Sequence, residues 1–93
     1  MFIVSLSYLV ELEQVDRFIP AHLEWLEQNY TDGVFLASGR KVPRTGGVIL
    51  ASGLNRAELD ARLAEDPFSV QGIAEYAVIE FEPNKVREGV SLG

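Results

Sequence analysis

One histidine and one aspartate are the residues of this chain best placed for acid–base chemistry. His22 is the only histidine. At helical spacing it falls near the centre of an apolar face, where a polar side chain needs a partner. A histidine with an ordinary pKa of about 6.5 exchanges protons near neutral pH. Asp66 is the best candidate for that partner, because Pro67 restricts the backbone before it and favours a fixed side-chain direction. If the two side chains meet, they form a minimal acid–base pair. The apolar face consists of Val15, Phe18, Ile19, Leu23, Leu26 and Tyr30.

Both residues also have a purely structural interpretation. A lone histidine is more often a core residue with a satisfied hydrogen bond, or part of a dimer contact, than a functional group. An aspartate before a proline commonly starts a turn. Glu65 is the alternative carboxylate, and we expect it to point to solvent. The sequence therefore suggests a site more clearly than it identifies a reaction.

A basic, glycine-rich segment offers a place for an anion. Residues 39–47 are predicted to form a loop, and they contain Arg40, Lys41 and Arg44, three of the eight basic residues in the chain. The backbone N–H groups of residues 44–47 and the Arg44 guanidinium could receive an anionic substrate. The segment lacks the Gly-Lys-Ser/Thr sequence and the following helix of a phosphate-binding loop. A flexible hairpin loop with solubilising charges is the alternative interpretation.

The remaining candidates are side chains that would complete a pocket. Ser38, near the end of a predicted strand, is a candidate substrate contact but not a nucleophile, because no triad arrangement is legible. Phe18, Trp25 and Phe68 would form the apolar walls. With one histidine, no cysteine and no EF-hand spacing, the sequence predicts no metal site. No motif indicates a cofactor.

Length and charge limit the classes of function. The 93 residues suit one domain, which we expect to cover residues 1–83, followed by a C-terminal tail of residues 84–93. The net charge of −6 argues against nucleic acid and against an anionic membrane surface. No secretory signal and no membrane-spanning run is present. These features predict a cytoplasmic protein, and the candidate pocket predicts a small-molecule ligand as its partner.

Hydrophobic periodicity predicts the order β-α-β-β-α-β. The first segment alternates serine with apolar residues, as a strand does. Asp32-Gly33 is typical of a helix end, and Asn55 with Glu58 predicts a capping box at the start of the second helix. The predicted strands cover residues 2–10, 34–38, 47–52 and 73–81. The predicted helices run from about 14 to 31 and from Asn55 to a point before Pro67.

This order predicts a ferredoxin-like α+β sandwich, with two helices on one face of a four-stranded antiparallel sheet. The other face of the sheet is then bare, and an uncovered apolar face marks a partner surface. A second copy of the chain, packed face to face about a two-fold axis, would cover it. We therefore expect a homodimer, and dimers could assemble further. Either face of the sheet could hold Phe2, Val4, Leu6, Val48, Leu50, Tyr76 and Val78.

Four segments, in this order and at these spacings, resemble the YciI-like family (YCII-related domain) of the dimeric α+β barrel superfamily. They are His22 on the first helix, residues 32–39, residues 43–48 and Asp66-Pro67-Phe68. The likeness extends from the first strand to about Pro83. It implies a dimeric ferredoxin-like barrel with a site around a His–Asp pair, here His22 and Asp66. A relative in chlorinated-aromatic degradation is thought to be a dehydrochlorinase that uses this pair, and muconolactone isomerases are structurally similar.

Two main hypotheses about function follow. In the first, the chain is an acid–base lyase, dehydrochlorinase or isomerase in which His22, oriented by Asp66, takes a proton from a small cyclic or anionic substrate, such as a ring or carbonyl compound. Arg44 would then steer an anionic substituent. In the second, the chain is a non-catalytic ligand-binding or accessory module, in which the pair is a buried structural hydrogen bond. A third, simpler hypothesis is an interaction domain that uses the sheet face for a different partner.

Overall fold

In the computed structural model, which describes residues 1–92, strands and helices follow the predicted order with one additional helical turn. The elements are β1 (Phe2–Tyr8), α1 (Leu12–Thr31), β2 (Phe35–Arg40), β3 (Gly46–Ala51), α2 (Arg56–Ala64), α3 (Pro67–Val70) and β4 (Ala74–Glu80). The four strands form one antiparallel sheet in the order β2-β3-β1-β4. This is the ferredoxin-like α+β sandwich that the element order predicts.

The face of the sheet that the helices cover carries the core. Phe2, Val4 and Leu6 of β1 are buried on this face, and the pairing register places Tyr76 and Val78 of β4 beside them. Burying such side chains contributes roughly 1.5–3 kcal/mol each. The helical residues packed into the two core clusters are Val15, Leu59, Leu63 and Phe68.

The opposite face of the sheet is open in the described chain. The register places Ile3, Val48, Leu50 and Ile79 there. Val48 is 39% exposed and Ile79 is 59% exposed. The sequence did not decide which face of the sheet holds seven apolar residues, and strand alternation does. Val48 and Leu50 lie on the open face. The covered face holds Phe2, Val4, Leu6, Tyr76 and Val78. An apolar surface remains without a cover.

Local signals set the ends of the two longer helices. α1 begins at Leu12, slightly before the predicted start, and includes Pro20. Gly33, with φ of +77°, adopts the left-handed conformation that commonly follows a helix end. α2 begins with the predicted capping box. The side chain of Asn55 accepts the backbone N–H of Glu58 at 2.8 Å, and the Glu58 carboxylate accepts the backbone N–H of Asn55 at 2.9 Å.

The connection between β2 and β3 is shorter than predicted. β2 continues to Arg40 and β3 begins at Gly46, so residues 41–45 alone form the loop. The backbone N–H of Lys41 donates to the carbonyl of Gly46 at 2.9 Å, which closes the hairpin. The expectation of a loop over residues 39–47 was therefore wrong. Gly46 and Gly47 pair with β1 as part of the sheet instead of forming an open cradle for an anion.

We expect Gly46→Ala to lower the free energy of unfolding by about 3 kcal/mol, because the added methyl group overlaps the backbone of β1. A Cβ atom at this position would lie 1.8 Å from the carbonyl oxygen of Leu6. Urea unfolding measures the loss. Gly39→Ala is the matched control in the same hairpin, since a Cβ there meets nothing within 4 Å. Equal stability of the two variants would contradict this account.

No helix or strand follows β4 in the described residues, and residues 81–92 are largely exposed. The predicted tail, residues 84–93, falls in this region except for Gly93, which lies outside the described residues. None of the helices within residues 1–92 is both long enough and apolar enough to cross a membrane.

Candidate functional site

Asp66 occupies the junction between α2 and α3, and its local sequence explains its fixed position. Pro67 stands at the first position of α3, where its missing N–H costs nothing. Asp66 caps this short helix by accepting the backbone N–H of Phe68 at 3.0 Å through Oδ1. The side chain is completely buried. The turn that the Asp-Pro pair predicts is therefore present, and it holds a buried carboxylate in one orientation.

His22 reaches this carboxylate from the middle of α1. Its Nδ1 lies 2.8 Å from Oδ1 of Asp66, and its ring stacks on Phe68 with centroids 4.1 Å apart and planes 6° apart. A carboxylate only accepts hydrogen bonds, so Nδ1 carries the hydrogen and donates it. In the neutral ring Nε2 is then left as a proton acceptor. The side chain of His22 is 12% exposed, so the pair borders open space.

Tyr76 completes the hydrogen bonding of Asp66 from β4. Its hydroxyl donates to Oδ2 of Asp66 at 2.6 Å. Burial, and then the hydrogen bond to Asp66, raise the pKa of the Tyr76 phenol well above its usual range. The phenol therefore remains a donor at any physiological pH. Asp66 thus accepts hydrogen bonds from a ring nitrogen, a backbone N–H and a phenol, which together fix both of its oxygens.

A cavity of about 280 Å³ opens beside the exposed edge of His22. Residues of α1, β1 and the β2–β3 hairpin line it, together with Phe68 of α3. Within the described chain its lining includes no aspartate or glutamate. The lining residues are Leu6, Tyr8, Ile19, His22, Leu23, Leu26, Ser38, Gly39, Arg40, Arg44, Gly46, Gly47, Val48, Ile49 and Phe68.

The structure brings four of the seven predicted site residues to this cavity, namely His22, Ser38, Arg44 and Phe68. The Ser38 hydroxyl lies 2.7 Å from the hydroxyl of Tyr30. The Arg44 guanidinium donates to the carboxylate of Asp16 at 2.5 Å, and this hydrogen bond raises the pKa of Arg44.

The other three predicted residues lie outside the lining. Asp66 lies behind His22. Trp25 packs against the His22 ring with centroids 5.6 Å apart, and its indole N–H donates to the backbone carbonyl of Arg62 at 3.0 Å. Phe18 is half-buried against the core cluster that contains Phe68. Trp25 and Phe18 therefore support the site from behind and do not form its walls.

Two residues that bear on the site were absent from the sequence-based set. Tyr76 was considered only as an apolar residue of the sheet, although strand alternation from Ala74 places it on the covered face. Arg40 was assigned to a loop, but it ends β2 and lines the cavity. In both cases the missing information was the register of a strand against its neighbour.

Within residues 1–92, His, Cys, Asp and Glu side chains form no group of three or more that could hold a metal ion.

The raised pKa of Tyr76 predicts a loss of stability at alkaline pH. Above about pH 10 the unfolded chain releases this proton while the folded chain retains it, so the free energy of unfolding falls by up to about 1.4 kcal/mol per pH unit. Tyr76→Phe should show a shallower fall. Urea unfolding at several pH values between 9 and 11.5 measures how the free energy of unfolding changes with pH in the wild type and in Tyr76→Phe. Tyr30→Phe is the matched control, and its free energy of unfolding should fall as steeply as that of the wild type. Identical slopes in the wild type and Tyr76→Phe would refute this origin.

The fold and the site define a small ferredoxin-like α+β domain with a buried His–Asp pair beside a cavity. Residues 1–82 match the YCII-related domain, and the chain belongs to this family. No curated protein matches the sequence significantly. Among solved structures, the chain resembles 5-chloro-2-hydroxyhydroquinone dehydrochlorinase from Burkholderia phenoliruptrix in complex with 2,5-dihydroxybenzoquinone. The TM-score is 0.74 at 18% identity, and the match covers 87% of this chain and 92% of the dehydrochlorinase. At that identity the likeness concerns the fold.

Proposed function

We propose that this protein is an acid–base enzyme of the lyase, dehydrochlorinase or isomerase type that acts on a small cyclic or anionic substrate. The observation that carries the proposal is the hydrogen-bonded pair His22–Asp66 at the wall of a cavity, with Nε2 of the histidine left as an acceptor. Family membership and the dehydrochlorinase of the same fold support this class of reaction.

In the proposed reaction, Nε2 of His22 removes a proton from a ring carbon or hydroxyl of the substrate. In an elimination, the electron pair that is released expels a leaving group such as chloride, and the imidazolium then gives its proton to solvent. In an isomerisation, the electron pair shifts a double bond, and the imidazolium returns the proton to another atom of the substrate. Asp66 stabilises the imidazolium through the Nδ1–H hydrogen bond. Arg44, Ser38 and Phe68 contact the substrate, whereas Trp25 and Phe18 hold His22 and Phe68 in place. General-base catalysis of this kind contributes roughly 10²–10⁴-fold in rate.

The test is a pair of assays on a panel of small cyclic compounds. The panel includes 5-chloro-2-hydroxyhydroquinone, hydroquinones, lactones and cyclic keto acids. Chloride release reports elimination, and incorporation of deuterium from D₂O, followed by NMR, reports proton abstraction even without net turnover. We expect protein-dependent chloride release or deuterium incorporation with at least one compound. If the protein causes neither chloride release nor deuterium incorporation with any compound of the panel, the proposal is refuted.

Ligand binding without turnover is the second candidate. The stacking of His22 on Phe68 and its hydrogen bond to Asp66 favour it, because both contacts also suit a structural residue. Under this alternative 2,5-dihydroxybenzoquinone binds, but no compound of the panel reacts. His22→Ala then lowers the melting temperature clearly, and no activity is lost.

We also propose that the protein is a cytoplasmic homodimer that covers its open sheet face with a second copy. Ile3, Val48, Leu50 and Ile79 supply an apolar surface there, and the absence of cysteine suits a reducing compartment. We expect sedimentation to give twice the mass of the chain. Val48→Glu should shift the protein toward the monomer, whereas Glu24→Gln on the exposed side of α1 should not. A monomeric wild type would refute the dimer.

A further inference from the structure

The cavity is basic although the protein is acidic. The chain carries 14 acidic and eight basic residues, yet the charged residues that line the cavity in the described chain are two arginines, Arg40 and Arg44, besides the titratable His22. A cavity with this lining attracts an anion into a protein whose overall charge repels it. Its volume of about 280 Å³ lies at the small end of ligand pockets and suits one ring with its substituents.

The two arginines differ in how they are held. Arg44 is half-buried, and its guanidinium is engaged by the Asp16 carboxylate at 2.5 Å. Arg40 makes no ion pair and no side-chain hydrogen bond with any residue between 1 and 92. A guanidinium offers five N–H donors that match the two oxygens of a carboxylate. Arg40 therefore has its full donor set available.

Strand register directs Arg40 to the cavity and its neighbour Lys41 away from it. Arg40 pairs with Gly47, and Gly47 pairs with Leu6 on the covered face of the sheet. Because Gly47 has no side chain, the space opposite Arg40 stays open. Lys41 lies on the other side and donates to the Ser7 hydroxyl at 3.1 Å. The basic cluster seen in the sequence thus splits between the two faces of the sheet.

We propose that the cavity binds a small cyclic anion and that Arg40, not Arg44, pairs with its carboxylate or phenolate oxygens. This inference rests on the proposed function, since it names the substrate class of the same cavity. Arg44, which is neutralised by Asp16, forms part of the wall and does not serve as the primary anion contact. Arg40 therefore determines specificity for charged over neutral rings.

The test measures binding by isothermal titration, which requires no turnover. The probes are 2,5-dihydroxybenzoate and its neutral counterpart 2,5-dihydroxybenzamide. We expect the wild type to prefer the anion, and Arg40→Gln to weaken anion binding by roughly five- to tenfold while leaving the amide unchanged. Arg56→Gln, a surface arginine on α2 that pairs with Asp60, is the matched control and should bind as the wild type does.

A second variant tests the division of roles between the arginines. Asp16→Asn releases Arg44, so it should tighten anion binding by roughly two- to fivefold, whereas Asp60→Asn, which removes the same charge elsewhere, should not. Three results would overturn the proposal: unchanged anion binding in Arg40→Gln, an equal loss for both probes, or no binding of either probe by the wild type. If anion binding follows Arg40 but no compound of the reaction panel is turned over, the proposed catalysis fails and the anion site stands.

Discussion

Replacing His22 by asparagine is expected to lower the rate of proton abstraction by roughly 10²–10⁴-fold while the fold remains intact. The side-chain nitrogen of asparagine is as many bonds from Cβ as Nδ1 of histidine is. It can therefore donate to Asp66 in place of Nδ1, which lies 2.8 Å from Oδ1. The acceptor at the position of Nε2 is lost. The variant thus separates the proposed base from the structural hydrogen bond.

The measurement is deuterium incorporation or chloride release with whichever compound of the panel reacts, at equal concentrations of folded protein. Gln14→Asn, an exposed change on the same helix, is the matched control and should keep full activity. Circular dichroism and the urea midpoint report the fold of each variant. An unchanged rate in His22→Asn would show that another group is the base. If His22→Asn is both inactive and partly unfolded, its initial rate is compared with that of the wild type at a lower temperature, at which the variant is folded.

The second large effect is on stability, at Asp66. Asp66→Ala is expected to lower the free energy of unfolding by about 3–5 kcal/mol, because a helix cap is lost and buried donors are left without an acceptor. Those donors are Nδ1 of His22, the backbone N–H of Phe68 and the hydroxyl of Tyr76. Since small domains are stable by only about 5–15 kcal/mol, this loss is a large share of the total.

Asp66→Asn keeps the fold testable if the alanine variant does not fold. Its amide oxygen can still accept from His22 and Phe68, and its NH₂ group can donate to the Tyr76 hydroxyl, so we expect a loss of less than about 2 kcal/mol. Asp60→Ala, which removes an exposed carboxylate paired with Arg56, should cost under about 1 kcal/mol. Urea unfolding measures all three variants. A cost of Asp66→Ala no larger than that of Asp60→Ala would contradict the role of Asp66 in holding the site.

Sequence periodicity predicted most of the fold because strands and helices are local. Three local signals depend on residues only a few positions apart: the alternation in β1, the capping box at Asn55 and the glycine that follows α1. Each is found as predicted. The loop of residues 39–47 was predicted too long, because glycine within an edge hairpin resembles a loop in composition. α3 was missed since four residues carry no detectable period, although Pro67 at its first position favours a helical turn.

The sequence by itself determined the ferredoxin-like element order, the family resemblance and the choice of His22 and Asp66 as candidates. The tertiary structure alone decided what surrounds them. Asp66 meets His22 across 44 residues and Tyr76 across ten, and Arg40 reaches the cavity because β2 pairs with β3 in one register. Secondary structure follows from interactions between near neighbours, which the order of residues records directly. A site follows from contacts between distant segments, which form only when strand register and helix packing place particular side chains on the same face.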